Sequence, residues 1–147
     1  MEDQVTQSNE VFLDTATAIA LSLPKDAHHE QAVQISEQLE ADGTRLVTTS
    51  AVIIEIGNAL AKQSFRAAAI ELIESLGQDP STEIVAVSQA LYERGFALYR
   101  ERVDKDWGLT DCISFVCRYA REGPYHVTDN GQALQASWLS GLMRVEQ

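Results

Sequence analysis

Leu46-Val47-Thr48-Thr49-Ser50-Ala51-Val52-Ile53-Ile54-Glu55 is the stretch whose reading decides the fold. Its first four residues form a short β-branched, apolar run that reads as a strand. Ser50 is a residue type that caps helices, and Val52, Ile53, Ile56, Ala59 and Leu60 then recur on one helical face. The same succession lies on both sides of it. Upstream, Val11-Phe12-Leu13 predicts a strand and Ala16 to Leu23 a helix stopped before Pro24. Asp26 then opens a helix with Ala32, Ile35 and Leu39 inward, which ends at Gly43. Downstream, a helix from about Arg66 to Leu76 precedes a third strand, Glu83 to Val87. Ser88 then caps a helix running towards Val103, and Thr110 caps one with Ile113, Val116, Cys117 and Ala120 on one face. Tyr125 to Thr128 is the fourth strand, Asp129-Asn130-Gly131 a turn, and a short last helix leads to a terminal strand around Leu142 to Val145.

Short strands separated by one or two helices require crossover connections, which make strands parallel. The expected architecture is therefore α/β, with a mainly parallel sheet of four or five strands and helices on both faces. Length and composition agree. The chain has 147 residues, 45% of them hydrophobic, which suits one core and would starve two. Residues 1–9 carry no periodic apolar signal and read as a loose arm, leaving 10–147 as a single domain.

The net charge of −11 disfavours any role that spreads a basic surface over phosphate, such as coating a duplex. The acidic, polar start is unlike a secretory signal, and the uncharged stretch from Gly123 to Met143 is interrupted by Asp129 and several polar residues, so the expectation is a cytoplasmic protein without a membrane segment. Cys112 and Cys117 are five residues apart, roughly 140° around a helix, which suits neither a disulfide framework nor a CxxC site. Both read as reduced core residues.

Single acids carry the chemistry. Asp14 is the only charge from Val11 to Pro24, Glu55 from Leu46 to Ala61, Asp111 from Trp107 to Cys117, and Asp129 from Gly123 to Met143. An unpaired carboxylate taken out of water costs several kcal/mol. Each also has a bland reading, as a cap, a turn residue or half of a buried ion pair. Asp14 and Asp129 fall at the carboxyl ends of expected parallel strands, where open α/β sheets bind ligands. Asp111 opens a helix, and Glu55 is long enough to reach back towards its helix start. Carboxylates that converge without His or Cys suit a hard cation, Mg2+ or Mn2+, and such a site can promote in-line displacement at a phosphodiester.

Val11-Phe12-Leu13-Asp14-Thr15, Ser50-Ala51-Val52-Ile53-Ile54-Glu55, Asp106-Trp107-Gly108-Leu109-Thr110-Asp111-Cys112-Ile113-Ser114-Phe115 and Thr128-Asp129 together resemble the PIN-domain ribonucleases, specifically the VapC-type toxins of toxin–antitoxin pairs. The third segment is the most specific. The resemblance implies a three-layer PIN-like fold and Mg2+-dependent or Mn2+-dependent endoribonuclease activity on RNA. It makes Asp14, Glu55, Asp111 and Asp129 the catalytic, metal-binding acids. It also implies a homodimer, and an antitoxin whose C-terminal segment blocks the site. One departure stands out: many relatives follow the fourth acid with a basic residue and His-Phe, where this chain has Asn130-Gly131-Gln132.

Other chemistries lack their motifs. His28-His29-Glu30 does not have HExxH spacing, His126 stands far away, and no glycine-rich phosphate loop follows a strand. Asp14-Thr15-Ala16 lacks the second acid that an aspartyl-phosphate phosphatase needs. Arg94, Arg100, Arg102, Lys105, Arg118 and Arg121 make the segment from Glu93 to Arg121 net +1 against −12 for the remainder, a modest basic zone beside Asp111. Each of these cations also reads as part of an ordinary solvated helix face. Trp107 and Tyr119 read as core aromatics in preference to base-stacking ones. The competing function is a catalytically inactive binding module of the same fold, whose acidic pocket captures a basic partner segment.

Overall fold

Alternation of β-branched runs with helical stripes produces three parallel strands among the residues described. The computed structural model describes residues 10–122; the arm of residues 1–9, Tyr125–Thr128, Asp129, His126, the last helix and the terminal strand lie outside them. Strands β1 (Glu10–Phe12), β2 (Arg45–Thr49) and β3 (Thr82–Val85) pair in the order β1-β2-β3, with Phe12 opposite Val47 and Thr49 opposite Val85. Helices α1 (Thr15–Ser22) and α2 (His29–Ala41) connect β1 to β2, and α3 (Ser50–Ala59) and α4 (Gln63–Gln78) connect β2 to β3. Helices α5 (Gln89–Glu101) and α6 (Leu109–Glu122) follow as a packed pair. Each connection is long enough for a crossover, which is why the strands run parallel.

The core is assembled from the positions that the apolar patterns predict. Phe12, Leu13, Val47, Val52, Ile56, Leu60 and Phe115 are buried, together with Ala18, Ala32 and Ile35. Burying each of the larger side chains contributes about 1.5–3 kcal/mol. Cys112 and Cys117 are buried free thiols, as expected. Helix α2 ends as predicted, with Gly43 at φ +67°, a conformation open to glycine without strain.

Several local expectations are corrected. Asp26 does not cap α2; its Oδ1 accepts from the His28 backbone N–H at 2.8 Å, which closes a turn three residues before the helix. Thr49, not Ser50, caps α3, and Gly108, not Thr110, precedes α6 and accepts its first helical bond from Cys112 N–H. Ala59 is exposed, as is Tyr119, because each lies on the solvent side of its helix.

Arg121 fastens the far end of α6 to the sheet. Its Nε and Nη2 donate to both oxygens of Glu10 at 2.9 and 3.0 Å, and Nη2 also donates to Glu83 at 2.6 Å, so one side chain joins α6, β1 and β3. The Arg121 guanidinium holds the Glu10 carboxyl below its ordinary value of 4.5. A depressed acid stabilises the fold above its unfolded value and loses that contribution as pH falls through the folded one. Arg121→Leu is therefore expected to destabilise by on the order of 1–2 kcal/mol at pH 7, since the network is partly solvated. Thermal melts at descending pH should show the difference from wild type narrowing below pH 4.5.

Candidate active site

The carboxyl ends of β1 and β2 place two of the four acids. Leu13 N–H donates to the Val47 carbonyl at 2.8 Å, extending the β1–β2 pairing one residue past β1, and the chain turns at Asp14. Asp14 is the N-cap of α1, where its Oδ1 accepts from Thr17 N–H at 3.0 Å and one carboxylate oxygen stays out of that bond. A strand end followed at once by a capped helix leaves the Asp14 side chain at the sheet edge.

Three adjacent hydroxyl residues, the last two of β2 and the first of α3, hold this edge, and the sequence does not assign their roles. Thr48 Oγ1 donates to the Leu13 carbonyl at 2.9 Å, pinning the residue before Asp14. Thr49 Oγ1 accepts from Val52 N–H at 3.3 Å and starts α3. Ser50 Oγ accepts from Val87 N–H at 3.0 Å, joining the start of α3 to the segment after β3. The run Thr48-Thr49-Ser50 was visible, but which of the three capped the helix depended on neighbours it could not name. In α3 the half-buried Glu55 precedes buried Ile56, so it flanks the packed face.

Asp111 lies three residues into α6, counting from Gly108. Its Oδ2 accepts from the Gly108 backbone N–H at 3.0 Å, returning the bond that an N-terminal side chain makes in a capping box. The preceding loop is braced by Trp107, whose ring lies 4.6 Å from Phe115 and carries Arg102 and Lys105 over its faces at 5.2 and 5.9 Å. Trp107 is thus half-buried packing, as its sequence context suggests.

Asp111 lies within electrostatic reach of both Glu55 and Asp14. Burial pushes the Asp111 carboxyl above the ordinary aspartate value of 3.8, the Gly108 N–H works against that, and the charges of Glu55 and Asp14 push it further up. None of the three forms an ion pair among the described residues. The structural ion-pair reading therefore has no support for them. Among the described residues no three such side chains stand close enough to enclose an ion directly. Their chemistry nevertheless fits a hard divalent cation: oxygen donors only, mutually repelling, one of them desolvated.

The basic zone expected beside Asp111 is largely committed elsewhere. Arg102 pairs with Asp104 at 2.9 Å, Arg121 with Glu10 and Glu83, and Arg118 is buried. Arg94 and Arg100 remain on the exposed side of α5.

A family model described as PIN domain matches residues 11–120, a span that contains Asp14, Glu55 and Asp111. Among solved structures, the chain is similar to the crystal structure of VapC20 from Mycobacterium tuberculosis, a sarcin-ricin loop cleaving toxin. The likeness has a TM-score of 0.65 and 21% identity, over 75% of this chain and 82% of that one. No curated protein matches the chain.

Proposed function

Given that the chain belongs to the PIN-domain family, we infer that it is a metal-dependent endoribonuclease and the toxin of a toxin–antitoxin pair. The observation that carries the reading is the pressure of Glu55 and Asp14 on a partly buried Asp111, with no ion pair to any of the three among the described residues. Asp14, Glu55 and Asp111 would hold Mg2+ or Mn2+, in part through water, as a small hard ion prefers. Asp129 is assigned to the same set, to support a second ion or to orient the attacking water. When bound, the ion supplies activation of water and neutralisation of charge on the phosphate.

The chain's own residues have separate tasks. Asp14 keeps its place because Thr48 holds Leu13 and Thr17 N–H holds one of its oxygens. Asp111 keeps its rotamer through Gly108 N–H. Both orientations are set before substrate arrives, which reduces the reorganisation needed at the site. The substrate is RNA, in keeping with VapC20 cleaving the sarcin-ricin loop. The partners are an antitoxin whose C-terminal segment covers the site and a second copy of the chain, and the place of action is the cytoplasm.

Purified protein free of antitoxin, incubated with a mixed RNA pool, should cleave with Mn2+ or Mg2+ and stop with EDTA. Cleavage indifferent to chelation would overturn the metal assignment. Metal-dependent thermal stabilisation with no cleavage of any RNA would replace the nuclease by the binding module.

A further inference from the structure

A polyanionic strand brought to a cluster of carboxylates needs positive charge nearby, and the chain carries little to spare. On the loop that joins α5 to α6, Arg102 is already claimed by both oxygens of Asp104, at 2.9 and 3.0 Å. Lys105 is not. It is exposed and forms no ion pair among the described residues, although Asp104 and Asp106 flank it in sequence. Its charge is available to an anion from outside the chain.

A short series of contacts fixes where that charge sits. The Lys105 backbone N–H donates to the Arg102 carbonyl at 3.1 Å, closing a turn after α5. The ammonium Nζ then lies 5.9 Å from the centre of the Trp107 ring, near the outer limit of about 6 Å for a cation–π contact. Trp107 does not move with it, because its ring packs on buried Phe115 at 4.6 Å. The next residue, Gly108, has its Cα about 3.8 Å further along the chain. Its N–H is the donor that holds Asp111 Oδ2 at 3.0 Å. The ring under Lys105 and the amide that orients Asp111 are thus consecutive residues of one braced segment. A compact ammonium on a flexible four-carbon stem can leave an exposed ring for a phosphate while that segment stays still.

We propose that Lys105 is a substrate-binding residue, which contacts a backbone phosphate of the RNA strand beside the one at the acids, from a loop that Trp107 keeps in register with Asp111. The inference rests on the nuclease reading for its substrate, and its test reads binding so that the two can fail separately. In the full chain carrying Asp111→Asn, affinity for a labelled single-stranded RNA of random sequence is followed as KCl is raised at fixed Mg2+. Adding Lys105→Met should weaken binding about three- to tenfold. It should also lower the slope of log Kd against log salt by about 0.7, the share of one phosphate contact on a single strand. Lys105→Arg should retain both affinity and slope. With Asp111 intact, Lys105→Met should raise KM for cleavage more than it lowers kcat. Its melting temperature should match wild type, since the side chain is exposed. Lys25→Met, an exposed lysine past the end of α1 remote from Asp14, should change neither affinity nor slope. An unchanged slope, an equal effect from Lys25→Met, or failure of arginine to substitute would overturn the assignment. A fall in melting temperature that accompanies the weaker binding would make Lys105 a brace for Trp107 and overturn it as well. RNA bound by none of these proteins would overturn it together with the nuclease reading.

Discussion

Asp111→Asn should abolish RNA cleavage, by on the order of 10²–10³-fold or more, while leaving the metal-free protein as stable as wild type or more so. Asparagine keeps an oxygen for the Gly108 N–H and removes the charge that burial, Glu55 and Asp14 oppose. The sign follows from linkage. An acid whose folded value is raised binds more protons folded than unfolded, so its contribution falls as pH rises above its unfolded value of 3.8. Melts in EDTA across the acid range should show wild type losing ground to Asp111→Asn as pH rises, and added Mg2+ should stabilise wild type alone. Asp111→Ala separates charge from capping, since it also gives up the Gly108 bond, worth about 1 kcal/mol. A loss of about 3–5 kcal/mol in Asp111→Asn would mean that the carboxylate is half of a structural ion pair after all.

Gly95→Val should be the most damaging single change on α5. The added Cβ alone would stand 2.5 Å from Ile113 Cγ1 and 3.1 Å from Ile113 Cα, and the second contact is backbone that no rotamer change relieves. Helix α6 must move outward, against an overpacking penalty of about 1–3 kcal/mol for Ala and more for Val. That penalty opposes the roughly 1 kcal/mol that Gly→Ala would otherwise add in a helix. Ile113 is two residues from Asp111, so the displacement should also reduce cleavage. In a denaturant double-mutant cycle, Ile113→Ala should recover part of the loss, because it removes the nearest clash. Additive effects would mean that the two helices adjust independently.

The strand–helix alternation was readable because each element carries its own period. Val11-Phe12-Leu13, Leu46 to Thr49 and Glu83 to Val87 fall within a residue or two of β1, β2 and β3, and Ser88 caps α5 as expected. Caps at α3 and α6 were misplaced, since Thr49, Ser50, Gly108 and Thr110 are all plausible in isolation. Neighbours decided among them: Ser50 is drawn to Val87, and Gly108 takes the Asp111 carboxylate. Tyr119 was misjudged for a related reason, because an aromatic residue signals burial only when its helical face meets the core, and this one faces solvent.

By itself the sequence determined the order of elements, the parallel crossovers and the identity of three isolated acids, because apolar periodicity and the scarcity of charge are local properties of the chain. Only the tertiary structure decided that the charges of Glu55 and Asp14 bear on Asp111, with no ion pair to any of the three among the described residues. It also decided that Arg121 serves the sheet and that the α5 rings stay in the open. Charges interact through space and burial depends on what packs against a face, and both are set by residues tens of positions away along the chain.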